Sequence, residues 1–164
     1  LVLDMTEATC GPRPTCIATV PAVASLLENA RSAGVFVVYS TGRAPTNVLA
    51  DLAPWEDDPT VGSAADKFYG TDLDEILRSR GITTVVIIGT VANGAPLYTT
   101  FGASLRGYTV VVAEDGISEE TGQPFDKVVA RYQILNQAGF ANPTNTPLVA
   151  QRATLSRTDM ITFR

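Results

Sequence analysis

Short apolar runs alternate with amphipathic stretches along this chain. Runs rich in β-branched and other apolar residues predict four strands, at 1–5, 35–40, 83–90 and 109–115. The run at 83–90 is apolar without interruption, which is typical of a strand that a parallel sheet buries on both faces. A late strand near 152–155 or 159–163 is expected to complete the sheet.

Between the strands, apolar residues recur at the spacing of a helix. This spacing predicts four helices. The third of them along the chain runs from Ala95 to Leu105, with Pro96 in its first turn. The apolar faces of the other three consist of Val23, Leu26, Leu27 and Ala30, then Leu73, Ile76 and Leu77, and then Phe125, Val128, Val129, Tyr132 and Leu135. Strands alternating with helices of this length predict right-handed crossovers. The expected fold is therefore a three-layer α/β/α sandwich with a mainly parallel, Rossmann-like central sheet, in one domain over 1–164.

In such sheets ligands bind in the crevice at the carboxyl ends of the strands. Four segments follow predicted strands there: Asp4 with its loop, 40–43, 89–95 and 114–116. We expect any active site to be built from these segments, with the polar loop 41–70 as a lid.

Composition narrows the chemistry that this crevice can hold. The chain has no histidine, which excludes Ser-His-Asp catalysis and any histidine-ligated metal. The acidic residues are scattered rather than clustered, so only an oxygen-ligated ion such as Mg²⁺ stays plausible, and no catalytic metal or other cofactor is expected. The net charge of -5, without a basic run, argues against nucleic-acid and membrane partners. The chain has two cysteines, Cys10 and Cys16. They could form a disulfide, but we expect buried free thiols and a cytoplasmic location.

Four stretches in order carry a family likeness: LVLDM, FYGTDLDEIL, GITTVVIIGTVANGAPLYTT and RGYTVVVAEDGIS. They resemble the opening strand, the helix start, the strand with its elbow, and the following strand of the isochorismatase-like (cysteine hydrolase) superfamily. The likeness covers about residues 1–118 and is loose beyond them. It implies a hydrolase acting on a small molecule.

The resemblance also implies a catalytic set of aspartate, lysine and cysteine. The aspartate falls on Asp4, and the cysteine position falls on Ala95, whose methyl group cannot attack a carbonyl. An alignment without gaps places the family's lysine position on Gly62. Lys67 could take the role of that lysine only if the loop is rebuilt; otherwise Lys67 is a solvated loop charge. Ala95 could be engineered, but its atypical flanking residues favour natural divergence. The family's cis peptide bond would match Val91–Ala92.

Other candidates surround these positions. Asn93, Gly94 and the start of the next helix could hold an anion on backbone N–H groups, or form a plain turn. Arg43 could clamp a substrate carboxylate, or lie on the surface. Trp55 and Tyr98 could stack on a planar substrate, or serve in ordinary packing.

Two functions remain open at this stage. The first is a hydrolase that works without a thiol, with Asp4 as general acid in vinyl-ether hydrolysis. The second is a catalytically inactive relative that binds a small ligand or a partner protein. In both cases a small molecule is the expected ligand, and a homo-oligomer is the expected assembly.

Overall fold

Six strands form one parallel sheet in this computed structural model, which describes residues 1–164. Their order across the sheet is β3-β2-β1-β4-β5-β6. The strands are β1 Val2–Leu3, β2 Tyr39–Thr41, β3 Thr60–Gly62, β4 Thr84–Thr90, β5 Thr109–Ser118 and β6 Ala153–Ser156. Every neighbouring pair runs parallel, so the predicted parallel arrangement of the four main strands is confirmed.

Helices cover both faces of this sheet. They are α1 Pro14–Ile17, α2 Val20–Ser32, α3 Leu73–Arg78, α4 Ala95–Leu105 and α5 Asp126–Leu135, with 3-10 turns at Ala50–Leu52 and Thr158–Met160. Buried residues of α3, α4 and α5 share one core with the sheet, and those of α1 and α2 share the other. The three-layer α/β/α sandwich is thereby confirmed. None of the helices has both the length and the apolar character needed to span a lipid bilayer.

The alternation of side chains along the strands explains the two cores. In β1, Val2 packs on the α2 side of the sheet and Leu3 on the α3–α5 side. In β4, Ile88 packs on the α2 side and Ile87 on the α3–α5 side. Each central strand therefore contributes to both cores, which is why its sequence is apolar at nearly every position.

Several predicted boundaries need correction. The first strand has two residues, and β2 begins at Tyr39, so 35–38 lies outside it. The segment 41–70, expected as a lid without regular structure, contains a 3-10 turn and the edge strand β3. The late strand forms at 153–156 rather than at 159–163.

Most of the apolar face predicted for α5 does not face the core. Of its five residues only Leu135 is partly buried against the core. Phe125, Val128, Val129 and Tyr132 are exposed, whereas the core receives Ala130 and Ile134 from the opposite side of the helix. The helix exists as predicted, but the sheet packs against the side that carries Ala130 and Ile134.

A close backbone contact joins the two central strands. Gly89 is paired with Leu3 and has a φ of +132°, and a Cβ atom there would lie 2.0 Å from the Leu3 carbonyl oxygen. Only glycine fits this position, because both the conformation and the space exclude a side chain.

We expect Gly89→Ala to lower the free energy of unfolding by roughly 3–5 kcal/mol, since β1 and β4 must separate to admit the methyl group. Gly34→Ala is the matched control: Gly34 also has a positive φ, of +70°, but has open space around it. That control should cost about 1 kcal/mol. Denaturant unfolding of both variants measures the difference, and equal losses would contradict the steric argument.

Candidate functional site

Asp4 lies at the carboxyl end of β1, in the middle of the sheet. Its amide donates to the Ser40 carbonyl at 3.1 Å, and its φ of 56° turns the chain out of the strand. One carboxylate oxygen, Oδ2, lies 2.8 Å from the Lys67 ammonium, and the other, Oδ1, accepts a 3.1 Å hydrogen bond from the Ser40 hydroxyl. The carboxylate is thus held in place from two neighbouring segments.

Lys67 has no solvent-exposed surface. Besides the Asp4 carboxylate, its ammonium contacts three backbone carbonyls, those of Ala64 at 2.6 Å, Ser63 at 3.0 Å and Thr41 at 3.3 Å. An ammonium has three N–H bonds to donate, so these acceptors satisfy it fully. The alternative of a solvated loop charge is wrong: the segment after β3 folds inward and places Lys67 beside Asp4.

The pKa of Asp4 is raised above its usual value. Burial is the largest cause, because it disfavours the charged form of the carboxyl group. The hydrogen bond and the charge of Lys67 oppose this shift, as does the weaker hydrogen bond from Ser40. A raised pKa brings a carboxylic acid closer to the range in which it can donate a proton to a substrate.

Ala95 is the first residue of α4, directly after the elbow that follows β4, and it is buried. Thr99, one helical turn further on the same side of α4, accepts a hydrogen bond from the Lys67 backbone amide at 3.2 Å. This contact brings the start of α4 and the Asp4–Lys67 pair to the same end of the sheet.

The elbow offers a different set of anion-binding amides from the expected one. The Gly94 amide donates to the Val91 carbonyl at 2.7 Å and Pro96 has no N–H, whereas the amides of Asn93, Ala95 and Leu97 donate to no backbone carbonyl. The cis peptide bond is Thr90–Val91, one residue before the predicted Val91–Ala92.

The remaining candidates occupy different surroundings. Asn93 is exposed, and its side-chain amide donates to Asp126 at 2.9 Å. Arg43 is exposed after β2 and makes no ion pair within residues 1–164. Tyr98 is half exposed on α4. The Trp55 ring lies 4.1 Å from the Arg31 guanidinium against α2, so the structure does not bring it to the Asp4 pair.

A disulfide joins Cys10 and Cys16, so the expected free thiols are not present. The loop that contains it leaves β1 and reaches the residues after β5: Thr15 donates to the Glu119 carbonyl, and Arg13 pairs with Glu120, each at 2.8 Å. Since β4 lies between β1 and β5, this loop passes over the carboxyl end of β4 and bounds the crevice on that side.

Sequence reasoning missed the acceptors around Lys67. They are backbone carbonyls of residues 41, 63 and 64, which have no residue-type signature. No group of three or more acidic or cysteine side chains that could hold a metal ion occurs in residues 1–164. Metal independence stays a prediction.

Comparison with known proteins agrees with this fold. The isochorismatase domain matches residues 1–146 of the chain. The chain belongs to the isochorismatase family. An uncharacterized isochorismatase family protein of Escherichia coli O157:H7 is 41% identical over 56 residues, which are 34% of this chain and 30% of that protein. A secreted isochorismatase effector of Verticillium dahliae is 29% identical over 116 residues, which are 60% of this chain and 59% of that protein. The chain thus spans less than two thirds of either relative.

Solved structures of other proteins share the fold. N-carbamoylsarcosine amidase from Thermoplasma acidophilum has a TM-score of 0.79 at 27% identity, with 98% of this chain and 95% of that chain covered. A nicotinamidase from Staphylococcus aureus has a TM-score of 0.76 at 16% identity, with 94% and 96% covered. At that lower identity the likeness concerns the fold alone.

We expect Lys67→Met to raise the pKa of Asp4 further, because Lys67 provides the main opposing interactions. The variant should lose about 3–5 kcal/mol of stability at neutral pH, since it leaves a buried carboxylate unpaired. A raised carboxyl pKa makes the folded state bind its proton more tightly than the unfolded state, so this penalty grows as the pH rises through the folded-state pKa. Denaturant unfolding at pH 5 and pH 8 tests the sign.

Lys127→Met is the matched control, because Lys127 is the other lysine of the chain, lies on α5 and makes no ion pair with Asp4. Its unfolding should show no such pH dependence. A Lys67→Met variant that is as stable as the control at pH 8 would mean that the ion pair is not formed.

Proposed function

We propose that this isochorismatase family member is a hydrolase that acts without a cysteine nucleophile, with Asp4 as general acid in the hydrolysis of a vinyl ether. The observation that carries the proposal is a buried carboxyl group with a raised pKa, held by Lys67 and Ser40 at the crevice. The name of the Verticillium dahliae relative, an isochorismatase, supports a vinyl ether as the substrate class.

The proposed reaction needs only proton transfer and water. Protonated Asp4 transfers its proton to the terminal vinyl carbon and becomes a carboxylate. The electron pair of the double bond forms the new C–H bond and leaves an oxocarbenium ion at the ether-bearing carbon. Water adds to that carbon and returns a proton to the Asp4 carboxylate. The hydroxyl group of the resulting hemiketal then loses its proton and becomes the carbonyl as the bond to the alkoxy group breaks. The alkoxy oxygen takes up a proton from Asp4, which recovers one from the hydroxyl group through water, and leaves as an alcohol. An enolpyruvyl ether thereby yields pyruvate.

Arg43 is the proposed partner of a substrate carboxylate. It follows β2 at the rim of the crevice and is not engaged by another side chain of the protein. Lys67 is unsuitable for this task, because the protein already accepts each of its N–H bonds. We assign to Lys67 the positioning of Asp4.

The second candidate is a catalytically inactive relative that binds a small ligand or a partner protein. The buried methyl group of Ala95 at the nucleophile position favours it, as does the disulfide that removes both thiols of the chain. Neither feature affects the acid-catalysed route, which uses no thiol.

The disulfide also bears on where the protein works. Disulfides persist mainly in oxidising compartments, and one relative is by name a secreted effector. Both observations favour an oxidising compartment over the cytoplasmic location expected from the sequence.

We expect the protein to release pyruvate from isochorismate, and we expect Asp4→Asn to lower kcat/KM by about 100- to 10,000-fold, because the amide cannot donate the proton. For the wild type, kcat/KM should fall as the pH rises through the raised pKa of Asp4. A coupled assay with lactate dehydrogenase measures the released pyruvate through the oxidation of NADH.

Asp159→Asn is the control, since Asp159 is an exposed acid paired with Arg157 on the surface. An Asp4→Asn variant as active as this control would contradict the role of Asp4. A wild type that releases no pyruvate would favour the inactive relative.

Ala95→Cys tests whether the elbow keeps the environment of a nucleophile. The thiol would lie at the start of α4, where the helix dipole stabilises a thiolate and lowers its pKa below about 8.5. We expect rapid alkylation of this variant near neutral pH without reductant. The wild type is the control and should stay unlabelled, because both of its cysteines are in the disulfide. An inert thiol would mean that the pocket is closed and would favour the inactive relative.

A further inference from the structure

The loop at 63–71 docks on α4 through one buried hydroxyl group. The Thr99 hydroxyl accepts a hydrogen bond from the Lys67 amide at 3.2 Å and donates one to the Ala65 carbonyl at 3.3 Å. Thr99 has no solvent-exposed surface, and buried backbone groups need a partner. One side chain of α4 therefore holds the backbone of the loop on both sides of Asp66.

A second contact lies three residues further along α4, on the same side of the helix. A Cβ atom at Gly102 would lie 2.5 Å from Oδ1 of Asp66 and 3.0 Å from its Oδ2, so the carboxylate occupies the space that a side chain would need. Oδ1 of Asp66 also accepts a hydrogen bond from the Phe68 amide at 3.0 Å. Glycine inside a helix is less favourable than alanine, and the close approach of Asp66 is the packing reason for it here.

Hydrogen bonds within the loop make it a compact unit. The Thr71 hydroxyl donates to the Lys67 carbonyl at 2.6 Å. The Ser63 hydroxyl lies 2.8 Å from the Tyr69 carbonyl oxygen and 3.0 Å from that of Asp66. The two contacts with α4 therefore set the position of the whole loop.

The acceptors around the Lys67 ammonium divide into two sets. The carbonyls of Ser63 and Ala64 belong to the loop itself. The Asp4 carboxylate at 2.8 Å and the Thr41 carbonyl at 3.3 Å lie at the ends of β1 and β2. A loop displaced from the sheet would keep the first set and lose the second, because the flexible lysine side chain follows the acceptors nearest to it. The docking of the loop on α4 thus decides whether the ammonium reaches Asp4.

We propose that Thr99 and Gly102 are positioning residues, which hold the Lys67 ammonium against the Asp4 carboxylate by docking the loop at 63–71 on α4. Their effect on turnover rests on the proposed function, whereas their effect on the ion pair does not. Because Ala95 begins the same helix, α4 places the loop and one wall of the crevice together.

Thr99→Val tests the proposal, since it removes the hydroxyl group at nearly constant size. We expect the pKa of Asp4 to rise, because a displaced Lys67 opposes the effect of burial less strongly. The measurement is a pH titration of the side-chain carboxyl carbon resonance of Asp4 by NMR spectroscopy, assigned by its loss in Asp4→Asn. Thr99→Ser keeps a hydroxyl group and should keep the wild-type pKa of Asp4.

Thr100→Val is the matched control. Thr100 is also fully buried, but its hydroxyl donates to the Pro96 carbonyl of the same helix at 2.7 Å. This variant loses a buried hydrogen bond without changing the loop, so we expect the wild-type pKa of Asp4. A wild-type pKa in Thr99→Val would overturn the proposal, and so would an equal shift in Thr100→Val.

Gly102→Ala tests the second contact. The added methyl group should push Asp66 away from α4 and raise the pKa of Asp4 as Thr99→Val does, with circular dichroism to confirm the fold. A folded Gly102→Ala variant with the wild-type pKa of Asp4 would also contradict the proposal. If this variant does not fold, the comparison of Thr99→Val with Thr100→Val decides.

Pyruvate release separates this inference from the proposed function. In an active wild type, Thr99→Val should lower kcat by roughly 10- to 100-fold, as a small misplacement of a reacting group does. KM should stay nearly unchanged, because the docked loop positions the acid rather than the substrate. An inactive wild type would count against the proposed hydrolysis, and the titration of Asp4 would still decide whether Thr99 and Gly102 position Lys67.

Discussion

A buried pair of opposite charges links the segments that form the crevice. Taking a carboxylate and an ammonium out of water costs several kcal/mol for each ion, and good geometry with further hydrogen bonds must offset that cost. Here Asp4 from the end of β1 meets Lys67 from the segment after β3, while Ser40, next to the end of β2, supplies the second hydrogen bond to the carboxylate. The pair forms only when these three segments converge, and the Lys67 amide connects them to α4 through Thr99.

This arrangement is the basis of the proposed proton-transfer chemistry. The carboxyl group is partly desolvated, which raises its pKa, yet the lysine keeps it oriented and limits the shift. Ala95 at the start of α4 contributes no reactive atom, and the two cysteines are bonded to each other. The crevice therefore holds the Asp4 carboxyl group and the chain has no free thiol, and the proposed vinyl-ether hydrolysis requires no more than that acid and a water molecule.

The elements that follow β4 and β5 hold one another in place at the crevice. The elbow leads into α4, and Asn93 in the elbow donates a hydrogen bond to Asp126 at the start of α5. The loop with the disulfide reaches the same region through Glu119 and Glu120. The start of α4 is therefore restrained from the segments on both sides of it.

The sequence by itself determined the layers of this fold, because the period of apolar residues reports local burial: the run at 83–90 is a central strand, and Val23, Leu26, Leu27 and Ala30 face the sheet as predicted. It also placed Asp4 at the crevice, because strand ends are readable from where the apolar run stops. Only the tertiary structure decided that Lys67 is buried and paired with Asp4. Its other acceptors are backbone carbonyls, which cannot be predicted from residue types. The same holds for the orientation of α5, because its apolar face satisfies the helical pattern whether it packs on the sheet or points outward. Which side meets the sheet depends on the space between α4 and β6, and that is a property of the assembled chain.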